Sequence, residues 1–345
     1  MLSLKRSCGF FIGKTPGYYY SLILGLIYGY FVLLKLAYSF IMNGPGWFFK
    51  RKRRGTWPGC MDEESHGKHG FLAVNGLKLH YVAAGDRSKP LMLFLHGFPE
   101  CWYSWRHQMK AFCHLYRCVA IDMRGFGESD RPSGRESYKM QLLVGDVKAV
   151  ISALGYSSCT LVGHGWGSII AYTCSSWYPD IVDKLIVANG PHPTRYFEVL
   201  KTNLTQFMMS WYIFFFQVPF LPEFMLSVGD YPFLKKLFKN VDLTEEELEV
   251  YKYSMSRPGA VSGQVNYYRC LLRSPSSSWL KEDVVIHTPT LLIWGVNDIG
   301  MVLDITKGLD KYLTNVSKQY VDAGHCVQQE KPEEVNRLIL EFLEK

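Results

Sequence analysis

The segment Leu161-Val162-Gly163-His164-Gly165-Trp166-Gly167-Ser168 carries the sharpest chemical signal in the chain. A short apolar strand pattern runs into Gly-x-x-x-Gly and on into a helix pattern. That is the frame of a nucleophile elbow, whose middle residue lifts its side chain above a sheet. Small residues at 163 and 167 let strand and helix approach closely, and the apex of such a turn usually stores backbone strain. Here the apex is Gly165, which has no side chain and adopts positive φ without penalty. The frame is that of covalent catalysis, and the attacking atom is missing. Two more residues fall in the order that this chemistry uses: elbow, acid, histidine. Asp298, in Trp294-Gly-Val-Asn-Asp298, follows an apolar run and is placed to orient an imidazole; a helix N-cap or loop aspartate is the plainer alternative. His325, in Ala-Gly-His325-Cys326, is the one histidine of ten between the last strand pattern and the last helix pattern, where a general base belongs.

These residues need a rigid frame, and the hydrophobic pattern supplies one. Residues 71–74 and 77–82, joined across Asn75-Gly76, read as a β-hairpin. Residues 91–95 form a continuous apolar run of the kind a buried parallel strand requires. Residues 118–121, 161–162 and 185–188 repeat that character, with helical stretches between them. Residues 290–294 and 318–321 follow, ahead of a last helix over about 332–343. This alternation predicts an α/β fold with a mainly parallel central sheet and helices on both faces. Between 191 and 283 the rhythm breaks. The segment is helical and aromatic-rich, with a capping box at Thr244 and Glu247. It reads as a lid inserted after the sixth strand, with the core in 70–190 and 284–345. Inserted lids shape a pocket and exclude water from it.

With 345 residues, 48% hydrophobic and 20% charged, the chain can bury an ample core. The net charge of +7 is concentrated: Lys5, Arg6 and Lys14 precede a long apolar stretch, and Lys50-Arg51-Lys52-Arg53-Arg54 follows it. Charge placed this way suits a membrane surface and not nucleic acid, because the globular part has no basic face. The apolar stretch is long enough to cross a bilayer, and aromatic residues stand at both ends as interfacial belts do. A cleaved signal peptide is the competing reading, against which stand the length and the lack of a small-x-small cleavage site. The expectation is an anchor in residues 1–50 with its helix over about 18–42, then a basic linker over 51–69. The excess of Lys and Arg after the span predicts a cytoplasmic catalytic domain, for example on the endoplasmic reticulum. Nine cysteines are scattered singly without a C-x-x-C pair, so neither a disulfide framework nor a zinc site is indicated. Neither metal-ligand spacing nor a dinucleotide or Walker loop is present, so no cofactor is implied.

His96-Gly97-Phe98-Pro99-Glu100, Asp122-Met-Arg124-Gly125-Phe-Gly127-Glu-Ser129 and the elbow together resemble the epoxide hydrolases of the α/β-hydrolase fold. The resemblance extends from about residue 70 to residue 343. It is strongest toward the membrane-anchored animal group that contains epoxide hydrolases 3 and 4. In that family the elbow reads Gly-His-Asp-Trp-Gly, so Gly165 stands where the resemblance implies the nucleophilic aspartate. The implied chemistry is a two-step displacement. The aspartate opens the epoxide while two lid tyrosines hydrogen-bond the ring oxygen, and an acid–histidine pair then activates water against the ester. Matched by motif, the acid is Asp298 and the base His325. The tyrosines are Tyr212, with the family's spacing to Gln217 and Pro219, and Tyr268 in Asn266-Tyr267-Tyr268-Arg269. Core packing is the alternative for either tyrosine alone. The backbone N–H groups of Phe98 and Trp166 form the implied oxyanion hole, which beside Gly165 faces water. His164 reads as packing and not as a substitute nucleophile; Asp122 and Ser129 read as parts of a structural loop. Cys326 replaces an aromatic residue common in the family, with no chemistry assigned to it.

Two functions follow from the missing carboxylate. The first is a membrane-anchored binding or regulatory protein on a disabled hydrolase frame, with a pocket for lipid-like or other apolar epoxides. The second is an active epoxide hydrolase. It would work either by direct attack of water through His325 and Asp298, or because Gly165 is an altered form of an aspartate whose codon differs by one base. A haloalkane dehalogenase is less favoured, since it needs the same carboxylate and the tyrosine pair suits an epoxide.

Overall fold

In the computed structural model, residues 16–273 and 284–345 are described. The basic residues Lys5, Arg6 and Lys14 and the last ten residues assigned to the lid, 274–283, lie outside them. Eight strands form one sheet: β1 (Lys68–Val74), β2 (Leu77–Ala84), β3 (Leu91–Leu95), β4 (Arg117–Ile121), β5 (Cys159–His164), β6 (Val182–Ala188), β7 (Thr290–Gly295) and β8 (Val316–Val321). Their spatial order is β1-β2-β4-β3-β5-β6-β7-β8, with β2 antiparallel to both of its neighbours, β1 and β4, and the remaining pairs parallel. The hairpin turns on Asn75 (φ 51°) and Gly76 (φ 74°), both left-handed, as a tight two-residue turn between twisted strands requires. Every residue of β3, β5 and β7 is buried, which explains their unbroken apolar character.

Helices α2 (Arg106–Phe112), α3 (Met140–Ala153) and α4 (Trp166–Trp177) follow the early strands, and α12 (Val327–Glu330) and α13 (Pro332–Leu343) follow β8. α3 and α4 pack together on one face of the sheet, and α2, α12 and α13 on the other. The lid leaves the core after β6 and runs through α5 (Pro193–Thr202), α6 (Leu204–Met209), α7 (Trp211–Phe215), α8 (Leu221–Ser227), α9 (Phe233–Leu237), α10 (Glu245–Ser256) and α11 (Ala260–Arg273). The capping box at Thr244 and Glu247 starts α10, with both reciprocal bonds formed.

The N-terminal helix α1 (Pro16–Phe48) is longer than the 18–42 expected, and it kinks at Gly44 ahead of Pro45. It has the length and mean hydropathy, 1.7, to cross a membrane. One stripe of it, containing Ser21, Gly25, Gly29 and Val32, is buried against the lid, chiefly α7. A Cβ at Gly25 would lie 2.5 Å from the Phe214 carbonyl oxygen. Only glycine permits that approach.

Residues 51–69 are not a free linker. Arg54 is nearly buried and forks onto Asp230, with Nη1 2.8 Å from Oδ1 and Nη2 2.6 Å from Oδ2. Its Nε also donates to Glu249 at 3.0 Å, as does the Lys52 ammonium. β1 already begins at Lys68 within the stretch read as linker. Part of the basic run therefore meets carboxylates of the lid, where charge neutralisation and bidentate geometry hold it, and the segment is a strap.

Candidate active site

Close packing dictates the elbow. A Cβ at Gly163 would lie 2.6 Å from the Gly167 carbonyl carbon, and one at Gly167 only 2.1 Å from the Leu95 carbonyl oxygen. Neither position tolerates a side chain, so β5 turns into α4 with its backbone against β3. At the apex Gly165 takes φ 51°, ψ −115°. The space there is different. A Cβ on Gly165 would meet only Gly97 Cα at 3.4 Å and His325 Nε2 at 3.9 Å. The turn is shaped to carry a side chain and aims it at the imidazole.

His325 leaves the loop after β8 and lines the cavity, its side chain one-fifth exposed. Its Nδ1–H donates to Asp298 Oδ2 at 2.8 Å, which leaves Nε2 facing the apex. The Asp298 carboxylate is fully engaged. Oδ2 also accepts from Asn189 Nδ2 at 2.7 Å, and Oδ1 accepts from the backbone of Gly300 at 2.7 Å and Met301 at 3.1 Å. Burial alone would push this carboxyl up, but the charge and hydrogen bond of His325 and the bonds from Asn189 and Gly300 hold it below the usual range. Burial works against a charged His325 as well, and Asp298 outweighs it, so the imidazole is more basic than an exposed histidine. The imidazole is held in one orientation, with Nδ1 bonded to Asp298 and Nε2 turned to the apex, as a proton acceptor there requires.

The lid brings Tyr212 on α7 and Tyr268 on α11 together, their rings 5.7 Å apart and nearly perpendicular. Burial is the main reason that both phenols stay protonated, far above the usual tyrosine range. Neutral phenols are hydrogen-bond donors. The spacing from Tyr212 to Gln217 now has a physical cause: Gln217 Nε2 donates to the carbonyls of Ile213 and Tyr268, both at 3.0 Å. One amide thereby ties the two tyrosine-bearing helices together. Phe98, Gly165, Trp166, Tyr212, Tyr268 and His325 all line one cavity of about 60 Å³, large enough for water, with Asp298 behind His325. The structure thus brings all seven residues singled out from the sequence together around one cavity.

The chain matches the family described as "alpha/beta hydrolase fold" over residues 90–332. It is 44% identical to human epoxide hydrolase 4 over 91% of this chain and 89% of that protein. It is 40% identical to epoxide hydrolase 3 of Xenopus tropicalis over 90% and 87% of the two chains. The chain belongs to the epoxide hydrolases. Among solved structures, an epoxide hydrolase of Bacillus megaterium in complex with an inhibitor superposes with a TM-score of 0.74 at 38% identity, covering 80% of this chain and 100% of that one.

Within this epoxide hydrolase frame, two positioning residues had no role assigned from the sequence. Asn189 follows β6 in a left-handed conformation (φ 35°) and bridges β7 and the acid, accepting from Gly295 N at 2.7 Å while donating to Asp298. Its signal is an Asn-Gly pair at a strand's C-terminal end, where asparagine tolerates positive φ. Glu100 is buried beneath the site. Its Oε2 accepts from Gly97 N at 2.8 Å and from His164 Nδ1 at 2.5 Å, and its Oε1 accepts from Gln328 and Gln329. His164 Nε2 in turn lies 2.9 Å from the His325 carbonyl oxygen. Buried and bonded on both sides, His164 points away from the cavity and braces the base. Asp122 and Ser129 hold their loop, Asp122 accepting from His80, Trp102 N and Glu128 N. The Cys326 thiol is buried, and burial raises it well above the usual thiol range; such thiols are inert.

Proposed function

We propose that this protein is a membrane-anchored epoxide hydrolase homologue that binds apolar, lipid-like epoxides and is catalytically impaired by Gly165. The observation that carries this reading is the open apex. His325, backed by Asp298, and the lid phenols Tyr212 and Tyr268 share one cavity with Phe98, Trp166 and an apex that carries no nucleophile. Losing a covalent nucleophile removes most of the rate, and the remaining electrostatics and binding retain about 10³–10⁴-fold over water. The apolar walls Phe98, Ile169, Phe197 and Leu271 suit a greasy ligand.

A second reading rests on the intact Asp298–His325 pair. The empty apex can hold a water within reach of His325 Nε2. That nitrogen would take the water's proton as its oxygen attacks an epoxide carbon. The ring C–O bond would break, Tyr212 or Tyr268 would give its proton to the departing oxygen to complete a vicinal diol, and the proton held by His325 would then return to the phenolate. The deciding experiment compares the protein as written with Gly165→Asp on fatty-acid epoxides in oxygen-18 water. Impairment predicts negligible turnover by the first and restored turnover by the second. Ordinary turnover by the protein as written, with solvent oxygen in the diol from the first cycle, would establish direct attack.

A further inference from the structure

Helix α1 packs on the lid, and both carry exposed apolar side chains. On α1 the face away from the lid is exposed and greasy: Ile23, Leu26, Ile27, Tyr30, Phe31 and Leu34 are all at least half exposed. The buried face holds the Gly25-x-x-x-Gly29 pair, a spacing that lets membrane helices pack closely. Its partner is the lid. Gly25 meets Phe214, Gly29 meets Leu221 and Val218, and the Tyr28 ring lies 6.2 Å from Trp211. After the kink, Phe48 packs on Phe224 at 5.8 Å. The lid flanks α1 at the same level, so both must share one depth in any membrane that α1 enters.

The lid surface beside this contact is itself unusual. Leu204 and Met208 on α6 are 75% and 55% exposed, and Phe220 is 85% exposed. Phe220 also sits at φ 62°, a left-handed conformation that a bulky residue adopts only at a cost. Both strain and an exposed ring at one position make sense if that ring is not in water. The exposed basic residues Lys50, Arg51 and Arg53 at the C-terminal end of α1 mark a phospholipid headgroup boundary.

Resting on the membrane-anchor reading, we propose that α1 does not tether the lid at a distance: α1, α6 and the α7–α8 turn enter the bilayer together as one apolar face. α7, on which α1 packs, also carries Tyr212 and Ile213 in the cavity wall. The helix against which α1 packs is therefore a wall of the pocket, and an apolar ligand partitioned into the bilayer reaches the lid without crossing water.

Single cysteines labelled with an environment-sensitive fluorophore test this in the full chain, after replacing Cys8, Cys60 and Cys113 by serine. The lid sites are Leu204→Cys and Phe220→Cys, the anchor site is Ile27→Cys, and the control is Leu115→Cys before β4. In phosphatidylcholine vesicles containing doxyl-labelled lipid, the lid and anchor sites are expected to be blue-shifted and quenched by the lipid but not by aqueous iodide. Leu115→Cys is expected to behave in the opposite way. Quenching at the anchor site with the lid sites in water would overturn the inference and leave the anchor standing. An anchor site in water would remove the membrane reading and the inference with it. Lid labels that cross-link between two copies and escape the lipid quencher would assign the face to self-association and equally overturn it.

Discussion

Gly165 holds both a chemical and a conformational consequence. The apex stays at φ 51° because β5 and α4 are fixed on either side of it, and glycine accepts that angle freely. Gly165→Asp would find room for its side chain but would strain the backbone by about 1–3 kcal/mol. The expected outcome is a lower unfolding midpoint in chemical denaturation together with gained turnover. A rise in stability, or no turnover, would mean that the site has drifted beyond the one atom. The base has its own signature. His325 must be neutral to accept a proton, and Asp298 holds it above its ordinary 6.5, so turnover by the Gly165→Asp variant should climb with pH through a value above 6.5. Adding Asp298→Asn removes the charge that raises His325 and presents the wrong hydrogen to Nδ1. The limb should move to lower pH and the rate fall by about 10³–10⁴-fold. The same pair shapes stability. The His325 contribution is complete below 6.5 and lost as pH rises through its raised value. The Asp298 contribution is complete above 3.8 and lost as pH falls through its lowered value.

At the scale of elements, the sequence made visible whatever is local. Eight strand patterns, the Asn75-Gly76 turn and the capping box at Thr244 are each set by residues within a few positions of one another, and all appear in the structure. Gly163 and Gly167 were legible for the same reason. Asn189 and Glu100 were not, because each acts on groups distant in sequence, Asp298 and His164. The packing of α1 on the lid was also missed, although Gly25-x-x-x-Gly29 signals a close helix contact without naming the partner. Two variants test these elements. Gln217→Leu leaves the Ile213 and Tyr268 carbonyls without their donor, and should cost about 2–3 kcal/mol in chemical denaturation while loosening the tyrosine pair. Gly25→Leu forces side-chain atoms into the Phe214 carbonyl and should speed hydrogen exchange across 211–216. Leu26→Ala, on the exposed face, should leave that exchange unchanged.

Over the whole molecule, the N-terminal segment does more than precede the fold: it holds part of the lid in shape. Between α8 and α9 three successive residues, Gly229, Asp230 and Tyr231, have left-handed φ of 63°, 63° and 64°. Two of them are not glycine, so the turn is strained. What holds it comes from residues more than 170 positions earlier. Gly229 N donates to the Phe48 carbonyl at 3.2 Å, Lys52 N donates to Asp230 Oδ1, and the Arg54 fork closes on Asp230. An ion pair on an open surface would contribute little, but here the guanidinium is almost buried and its planar fork matches the carboxylate. Arg54→Ala should therefore let residues 228–232 relax. Their amide exchange should quicken by about tenfold or more, the factor that ~1.4 kcal/mol of local stability sets, while β3 and β5 keep their protection. Arg54→Lys keeps the charge and loses the fork, so its exchange should fall between the two. Unchanged exchange in Arg54→Ala would show that the turn holds its own conformation and that the strap merely lies on it.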